Sequence, residues 1–287
     1  MFRKCSLVVM GVLLLTMPAA GQEVFDTQVF SVIARGAGLA GTQWVTDLTV
    51  HNPTDATLFV GIQFFPADQD NLFDPTFPDQ LELAPHETLM VEDVLLNTFG
   101  YDEDIKGVLA LICDPNYVLD NVEGATMLAV TRTYNTGGAE GTFGQTVPSF
   151  VAGGLNVGFA SSFITGARND DQFRSNLGIA ATSYFARVRV YYRIMNQEGT
   201  VLVEGSKNIK IASMNQWSFD NLGVGSVEGP LTVELWLDPD AMDDDPCEPD
   251  FPTGFMAYVS KVDNGTGDAE FLTAAPMVPY TTCLMAR

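Results

Sequence analysis

The densest group of side chains that could do chemistry is an acidic run near the C-terminal end of the chain. Residues 238–250 read DPDAMDDDPCEPD and hold seven carboxylates in thirteen residues. Calcium is bound by six to eight oxygen ligands, which a loop with closely spaced aspartates can supply. The candidate calcium ligands are Asp238, Asp240, Asp243 and Asp245. The run lacks the glycine and the spaced glutamate of an EF-hand, and charge runs usually face water, so a hydrated loop without metal is the alternative.

Catalytic motifs are missing from the sequence. The chain has two histidines, His51 and His86, and each lies beside a proline or an Asn-Pro turn signal. Neither belongs to an HExxH motif, and no GxSxG or SxxK motif occurs. Glycoside hydrolysis needs two carboxylates at a set separation, and 36 acidic residues give no means of choosing a pair. We therefore predict that the protein is not an enzyme, and that calcium is the one candidate cofactor.

Aromatic side chains are the candidate ligand contacts. Phe143 lies in the glycine-rich segment TGGAEGTFG, and Trp217 and Trp236 lie in or beside strand-like runs. Exposed aromatic rings bind sugars or form hot spots for protein partners, whereas buried rings fill cores. We expect core packing for the tryptophans, and keep all three residues as candidate ligand contacts.

Cysteine usage suits an exported protein. Cys5 lies in the leader described below, which leaves Cys113, Cys247 and Cys283. Three pairings are open, and one disulfide with one free thiol is the simplest outcome. Cys247 with Cys283 is the favoured pair because both lie in polar or terminal segments. Cys113 ends an apolar run and is expected to be a buried thiol.

The N-terminus resembles an export signal. Arg3 and Lys4 precede an apolar run at residues 7–17, and Pro18-Ala-Ala-Gly21 supplies the small residues that a signal peptidase accepts. We predict a signal peptide at residues 1–21 and a mature chain without a membrane span. The alternative is an N-terminal anchor, although the run is shorter than the ~20 residues of a spanning helix. The expected location is the periplasm, the cell surface or the exterior.

The charge of the chain limits its partners. The 287 residues carry 14 basic and 36 acidic side chains, a net charge of −22. Such a chain repels nucleic acid, so no nucleic-acid partner is expected. A protein or a carbohydrate partner fits this surface, and the sequence does not choose between them.

The local pattern is strand, turn, strand. Short runs rich in β-branched and aromatic residues, such as LFVGIQFF and TMLAVTRTY, alternate with clusters of Gly, Pro, Asn and Asp. The best helical candidate is one or two turns within residues 92–99. The chain is therefore predicted to be all-β.

The second half repeats the order of the first. Four collinear blocks match: WVTDL with FRSNL; Leu81, Leu83, Val91, Asp93 and Val94 with Ile209, Ile211, Phe219, Asn221 and Leu222; Gly107, Leu109 and Leu111 with Gly229, Leu231 and Val233; and Met127, Val130, Arg132 and Asn135 with Met256, Val259, Lys261 and Asn264. We predict two tandem β-sandwich (Ig-like) domains related by internal duplication, at residues 22–152 and 153–287. One larger sandwich or barrel with chance similarity is the alternative.

Two segments resemble a known kind of protein. Residues 44–53 read WVTDLTVHNP, and residues 132–148 begin RTYN and end GTFGQTVP. These segments, after an export signal, resemble a group of secreted bacterial proteins that have no assigned activity and are built from tandem Ig-like or fibronectin-like sandwiches. The resemblance implies that architecture outside the cytoplasm and brings no activity with it.

Three functions follow from the sequence. The first is a non-enzymatic exported interaction or adhesion-type module of the cell envelope or exterior. The second is a carbohydrate-binding module, which calcium could support. The third is a secreted hydrolase with a carboxylate site, which the missing motifs disfavour.

Overall fold

The chain is mostly β-strand. A computed structural model describes residues 24–38, 41–74, 76–77, 79–137, 142–150, 156–157, 161–181, 187–237 and 254–276. In the first half the elements are β1 Thr27–Ala37, β2 Gln43–His51, β3 Leu58–Pro66, β4 Asp79–Leu83, β5 Thr88–Val91, α1 Val94–Asn97, β6 Ile105–Ile112, β7 Leu128–Asn135, β8 Gly144–Val147 and β9 Ser149–Phe150.

The second half has the same kinds of elements. They are β10 Asn156–Val157, β11 Ser162–Asn169, β12 Phe173–Ala181, β13 Val188–Met195, β14 Val201–Ile209, β15 Met214–Ser218, α2 Phe219–Leu222, β16 Val227–Leu237, β17 Gly254–Asp263, β18 Ala269–Thr273 and β19 Ala275–Pro276. Each helix is one turn long, and no helix within the described ranges is long and apolar enough to cross a membrane.

The strands form four antiparallel sheets, here called sheets I to IV. Sheet I has the order β4-β3-β6-β1-β9, and sheet II has the order β5-β2-β7-β8. Sheet III has the order β15-β12-β17, with β10 and β18 both on β17, and sheet IV has the order β14-β13-β16-β11-β19. The end of β1 also pairs with β2, which joins sheets I and II at one corner.

Each half is a β-sandwich with its own core. In the first half, Phe30 and Leu109 of sheet I pack against Leu48 and Val50 of sheet II. In the second half, Leu177 and Ile179 of sheet III pack in the same way against sheet IV. The prediction of an all-β sandwich fold is thereby confirmed.

The two halves share one order of strand pairing. Sheet I has its counterpart in sheet IV and sheet II in sheet III, strand for strand apart from the extra β10. Strands β1 and β11 both carry a register shift opposite β6 and β16. Origin by duplication, the domain bounds and the Ig-like label stay predictions.

Two of the matched blocks are out of register. Val91 of β5 pairs with Leu48, whereas Trp217 of β15 pairs with Leu177, so the counterpart of Val91 is Trp217 and not Phe219. Leu48 of β2 pairs with Thr131, whereas Leu177 of β12 pairs with Val259, so Val259 is the counterpart of Thr131 and not of Val130. The match of Met127 with Met256 fails for the same reason. Met127 faces the core of the first sandwich, and Met256 faces away from that of the second. A shift of one residue turns a side chain to the other face of a sheet, and the match missed it because β17 is apolar on both faces.

A third apolar layer joins the two sandwiches, because the outer face of sheet I packs on the outer face of sheet III. Its buried members are Val32, Phe65, Val108, Ala110, Val147, Ala180, Ala212, Met214, Met256 and Tyr258. Sheets I and III are therefore covered on both faces, which requires continuous apolar strands such as VLALI in β6 and FMAYV in β17. Their counterparts β16 and β7 alternate, because sheets IV and II have one face open to solvent.

Substitution of Gly178 tests how tightly this layer is packed. A Cβ at Gly178 would overlap the ring of Tyr258, which Phe271 holds from behind at a centroid distance of 4.6 Å. We expect Gly178→Ala to lower the free energy of unfolding by about 1–3 kcal/mol in urea titrations, the usual cost of overpacking.

Tyr258→Phe is the matched control for this test. It keeps the ring and removes a buried hydroxyl that has no hydrogen-bond partner in the described part of the chain. It should leave stability unchanged or raise it by up to about 2 kcal/mol, because an unsatisfied buried polar group is costly. A Gly178→Ala protein as stable as the wild type would contradict the tight packing.

Candidate functional site

The candidate calcium ligands and the candidate disulfide fall outside the described residues. Asp238, Asp240, Asp243, Asp245, Cys247 and Cys283 all lie there, so both sites stay predictions. Within the described ranges, no three His, Cys, Asp or Glu side chains are grouped so that they could hold a metal ion.

Cys113 is a buried thiol, as predicted. It is fully buried in the core of the first sandwich. Burial, followed by the charges of Asp26 and Asp114, raises the pKa of its thiol to about 12. The thiol is therefore protonated and unreactive near neutral pH.

The two histidines lie near strand ends with different partners. His51 ends β2, and its Nδ1 is 2.9 Å from Oγ1 of Thr88. His86 lies in the turn before β5, where its Nε2 is 2.9 Å from Oδ1 of Asp55 and both side chains are exposed. Each imidazole is thus held by one polar side chain, at the end of β2 or in the turn before β5.

Two of the candidate aromatic contacts are partly accounted for by the fold. Phe143 is 37% exposed and precedes β8, where its carbonyl accepts a bond from the amide of Asn135. Trp217 is partly buried against the core of the second sandwich, and Nζ of Lys207 lies 4.9 Å from its ring centroid. Trp217 thus packs at the edge of the core, as expected.

Trp236 is placed differently from the expectation. It lies on the solvent-facing side of sheet IV, stacked on Tyr191 at 5.8 Å with an interplanar angle of 12°. The guanidinium of Arg193 lies 4.9 Å from the ring centroid and pairs with Glu204 and Glu234. The expectation of core packing is wrong here because Trp236 and Glu234 are two residues apart on β16, so their side chains lie on the same, solvent-facing side of the sheet. Because the ring already has two intramolecular partners, stacking of a sugar on it is disfavoured.

A cavity lies between the two sandwiches, at one end of the layer that joins sheets I and III. It is a cleft of about 640 Å³, within the range of ligand sites. It is lined by Val32, Ala34, Arg35, Gly36, Ala37, Gly38, Trp44, Pro66, Ala67, Asp68, Gln69, Asp104, Ile105, Lys106, Thr133, Gln145, Arg174, Asn176, Gln216, Tyr258, Ser260 and Val262.

The cleft forms because the facing side chains change from apolar to polar along each strand. On β6 the same face runs from Ala110 through Val108 to Lys106. On β12 it runs from Ala180 through Gly178 to Asn176 and Arg174. On β17, Tyr258 is followed by Ser260, and on β15, Met214 is followed by Gln216. Because neighbouring strands are antiparallel and in register, these changes fall at the same end of the interface.

Polar bonds cross the cleft between the two sandwiches. Lys106 donates from Nζ to Oε1 of Gln216 over 3.3 Å, and Ser260 donates from Oγ to Oε1 of Gln145 over 3.1 Å. They join sheet I to sheet III and β8 to β17, so both sandwiches form the site.

A loop clamp closes one side of the cleft. Asn71 donates from Nδ2 to the carbonyl of Ala212 over 2.8 Å, and the Ser213 hydroxyl donates to the carbonyl of Pro66 over 3.1 Å. Asp68 accepts from Nδ2 of Asn215, and Arg187 forms a two-pronged ion pair with Asp70 at 2.5 and 3.1 Å. The loop after β3 is thereby fixed to β15, to the segment before β15 and to the residue that precedes β13.

The cations of the cleft are held in a partly desolvated setting. Burial lowers the pKa of Lys106, and the charge of Asp68 works against that shift. Burial also lowers the pKa of Arg174, whose Nη1 donates to Oδ1 of Asn264 over 2.9 Å. A lowered pKa at a cation means that its charged form is less stable here than in water.

Sequence reasoning missed this site because no motif holds it. Its residues come from nine strands and from loops beside them, in both halves. Two features of the sequence could have indicated the site. The apolar strands that are covered on both faces become polar at one end, and basic residues, which are few in this chain, lie near the starts of β6 and β12.

Comparison with known protein families, curated proteins and solved structures found no match to this chain.

The ion pair of the clamp predicts an acid-dependent loss of stability. Its bond to Arg187, helped by the amide of Ile211, lowers the pKa of Asp70 from 3.8 to about 2. The stabilisation is therefore present above pH 3.8 and lost as the pH falls through 2. We expect Asp70→Asn to be less stable than the wild type at pH 6 and the difference to vanish near pH 2, measured by urea unfolding. A difference that is constant with pH would contradict this.

Proposed function

We propose that the protein is an exported, non-enzymatic binding module that holds an oligosaccharide in the cleft between its two sandwiches. The observation that carries this proposal is the polar lining of the cleft, which both sandwiches supply. The export signal and the acidic surface support a place outside the cytoplasm.

The lining suits a ligand with many hydroxyl groups. Four amide side chains, Gln69, Gln145, Asn176 and Gln216, can each donate and accept hydrogen bonds. Thr133 and Ser260 add hydroxyls, and Trp44 adds an apolar surface at the wall. Directional polar groups around one aromatic surface are what a sugar ring needs, since it has polar edges and an apolar face.

The cleft also bears on the hydrolase alternative. It contains two carboxylates, Asp68 and Asp104, each of which accepts a hydrogen bond from the protein, from Asn215 and from the amide of Ala37. Both are thus engaged in holding the walls of the cleft. If the protein were a hydrolase, bound oligosaccharide would be cut and reducing ends would accumulate during a binding experiment; we expect none.

Blocking the cleft tests the binding function. Asn176 projects into the cleft from β12, so Asn176→Phe should fill it and reduce the affinity for a bound oligosaccharide by about tenfold or more. The measurement is calorimetric titration with neutral and acidic oligosaccharides of matched length.

Asn208→Phe is the matched control, because Asn208 is exposed on β14 of sheet IV. It should bind as the wild type does. Equal losses in both variants, or no binding by the wild type to any oligosaccharide, would overturn the proposal.

A second candidate function, docking of a protein partner, is favoured by exposed apolar side chains on the segments that flank sheet I. There Val24, Leu72, Tyr117, Leu119 and Val122 are exposed, Leu72 and Leu119 by more than four fifths, and Tyr117 contacts Phe73 across two loops. The same segments carry five acids, Asp26, Asp74, Asp114, Asp120 and Glu123, and residues 24–26, 72–77 and 113–126 contain no Lys or Arg. An apolar patch ringed by acids fits a basic, amphipathic partner segment.

Polar substitution of this patch tests the second function. Leu72→Ser combined with Leu119→Ser should leave stability unchanged, since both side chains are exposed. It should weaken binding of an amphipathic Lys/Leu peptide by about tenfold. A Glu/Leu peptide of equal length is the control ligand and should not bind. Undiminished binding of the Lys/Leu peptide by the double variant would contradict a role for the patch.

A further inference from the structure

We propose that the ligand of the cleft carries a carboxylate, as a uronic acid does, and that Lys106 and Arg174 bind it from opposite walls. This inference rests on the proposed function and specifies the ligand class of the same site.

Two cations line the cleft without a carboxylate of the described residues at ion-pair distance. Acids outnumber bases by 36 to 14 in the chain. Five of the Lys and Arg side chains in the described ranges pair with a carboxylate at 4 Å or less: Arg35, Arg168, Arg187, Arg193 and Lys261. Within the described ranges, Lys106 and Arg174 have only amide oxygens as side-chain partners, those of Gln216 and Asn264.

The partial burial of Lys106 and Arg174 makes the lack of an ion pair at these two residues evidence for an anionic ligand. Both residues are partly buried, and burial disfavours the charged form of each. The charge of Asp68 offsets part of this cost at Lys106, but among the described residues no carboxylate lies within ion-pair distance of either cation. A bound anion would offset the remaining cost. Exposed unpaired cations such as Arg132 carry no such implication because water solvates them.

The two cations belong to opposite walls. Lys106 lies at the start of β6 in sheet I, and Arg174 near the start of β12 in sheet III. Both residues line the same cleft, so an acidic oligosaccharide that fills it would contact both sandwiches. The guanidinium of Arg174 suits a planar carboxylate, which accepts two parallel hydrogen bonds.

The remaining charges of the cleft fit a sugar that bears one anionic group. Arg35 is paired with Asp93 over 3.1 Å and is not available. The two carboxylates, Asp68 and Asp104, accept bonds from the protein and can accept further bonds from sugar hydroxyls. The cleft therefore offers cations for one acidic group and acceptors for neutral hydroxyls.

The test compares acidic oligosaccharides with their neutral methyl esters by calorimetry. Oligogalacturonate and oligomannuronate are the probes, and esterification removes the charge while keeping the sugar backbone. We expect at least one acid to bind about tenfold or more tightly than its ester, as for a hydrogen bond to a charged group. The affinity for the acid, and not for the ester, should fall as salt is added.

Charge-removing variants assign the effect to the two residues. Lys106→Gln and Arg174→Gln should each reduce affinity for the acid by about tenfold and leave the ester unaffected. Arg132→Gln removes the same charge from the exposed face of sheet II and should change neither affinity, which controls for the overall field.

The outcomes separate the two proposals. If acid and ester bind equally and Asn176→Phe abolishes both, the cleft binds sugar but the carboxylate assignment is wrong. If the acid binds better but Lys106→Gln and Arg174→Gln have no effect, the anion lies elsewhere and the assignment also fails. Binding of dextran sulfate over dextran, with no preference for any carboxylated sugar, would replace carboxylate by sulfate. No binding of any sugar would overturn the proposed function itself.

Discussion

The packing of sheet I on sheet III is the interaction on which the rest of the molecule depends. It joins the two sandwiches into a stack of four sheets, and it buries side chains such as Phe65, Met256 and Tyr258 that a single sandwich would expose. Removal of a large apolar side chain from water contributes about 1.5–3 kcal/mol each, so this layer stabilises both halves together. It also fixes the separation of the walls between which the cleft lies.

The same contact explains why the cleft is polar and where it lies. Two twisted sheets pack closely over a limited area and diverge beyond it. Where sheets I and III diverge, apolar side chains would face water, and the strands carry Lys106, Asn176, Gln216 and Ser260 there instead. The cleft thus lies at the end of the stabilising layer, and the clamp ties the loop after β3 to the second sandwich beside it.

The sequence predicted the elements well and their assembly poorly. Strands such as β7, β13 and β16 of the open sheets II and IV alternate, and turn residues bound most strands, so the all-β fold could be recognised locally. The sequence does not reveal which sheet packs on which. The runs VLALI in β6 and FMAYV in β17 show that both faces of their sheets are buried, but they do not show what covers each face. That ambiguity also misaligned Met127 with Met256. Trp236 shares its face of β16 with Glu234, and this alternation already indicated partial exposure, which the expectation of core packing set aside. The cleft joins residues more than a hundred positions apart, such as Lys106 and Gln216, which no local pattern connects.

The joining contact is heterologous: sheet I corresponds to sheet IV, and sheet III to sheet II, so unlike faces of the repeated unit meet. Such a contact does not close on itself, and a third unit could in principle continue the stack from either end. The outer face of sheet IV opposes this with Arg193, Glu204 and Glu234, where sheet I has Val108 and Ala110. The charged side chains around Trp236 therefore prevent a further unit from packing on sheet IV. If apolar residues replaced these charged side chains, the outer face of sheet IV would resemble that of sheet I, and the protein would be prone to polymerise end to end into fibres.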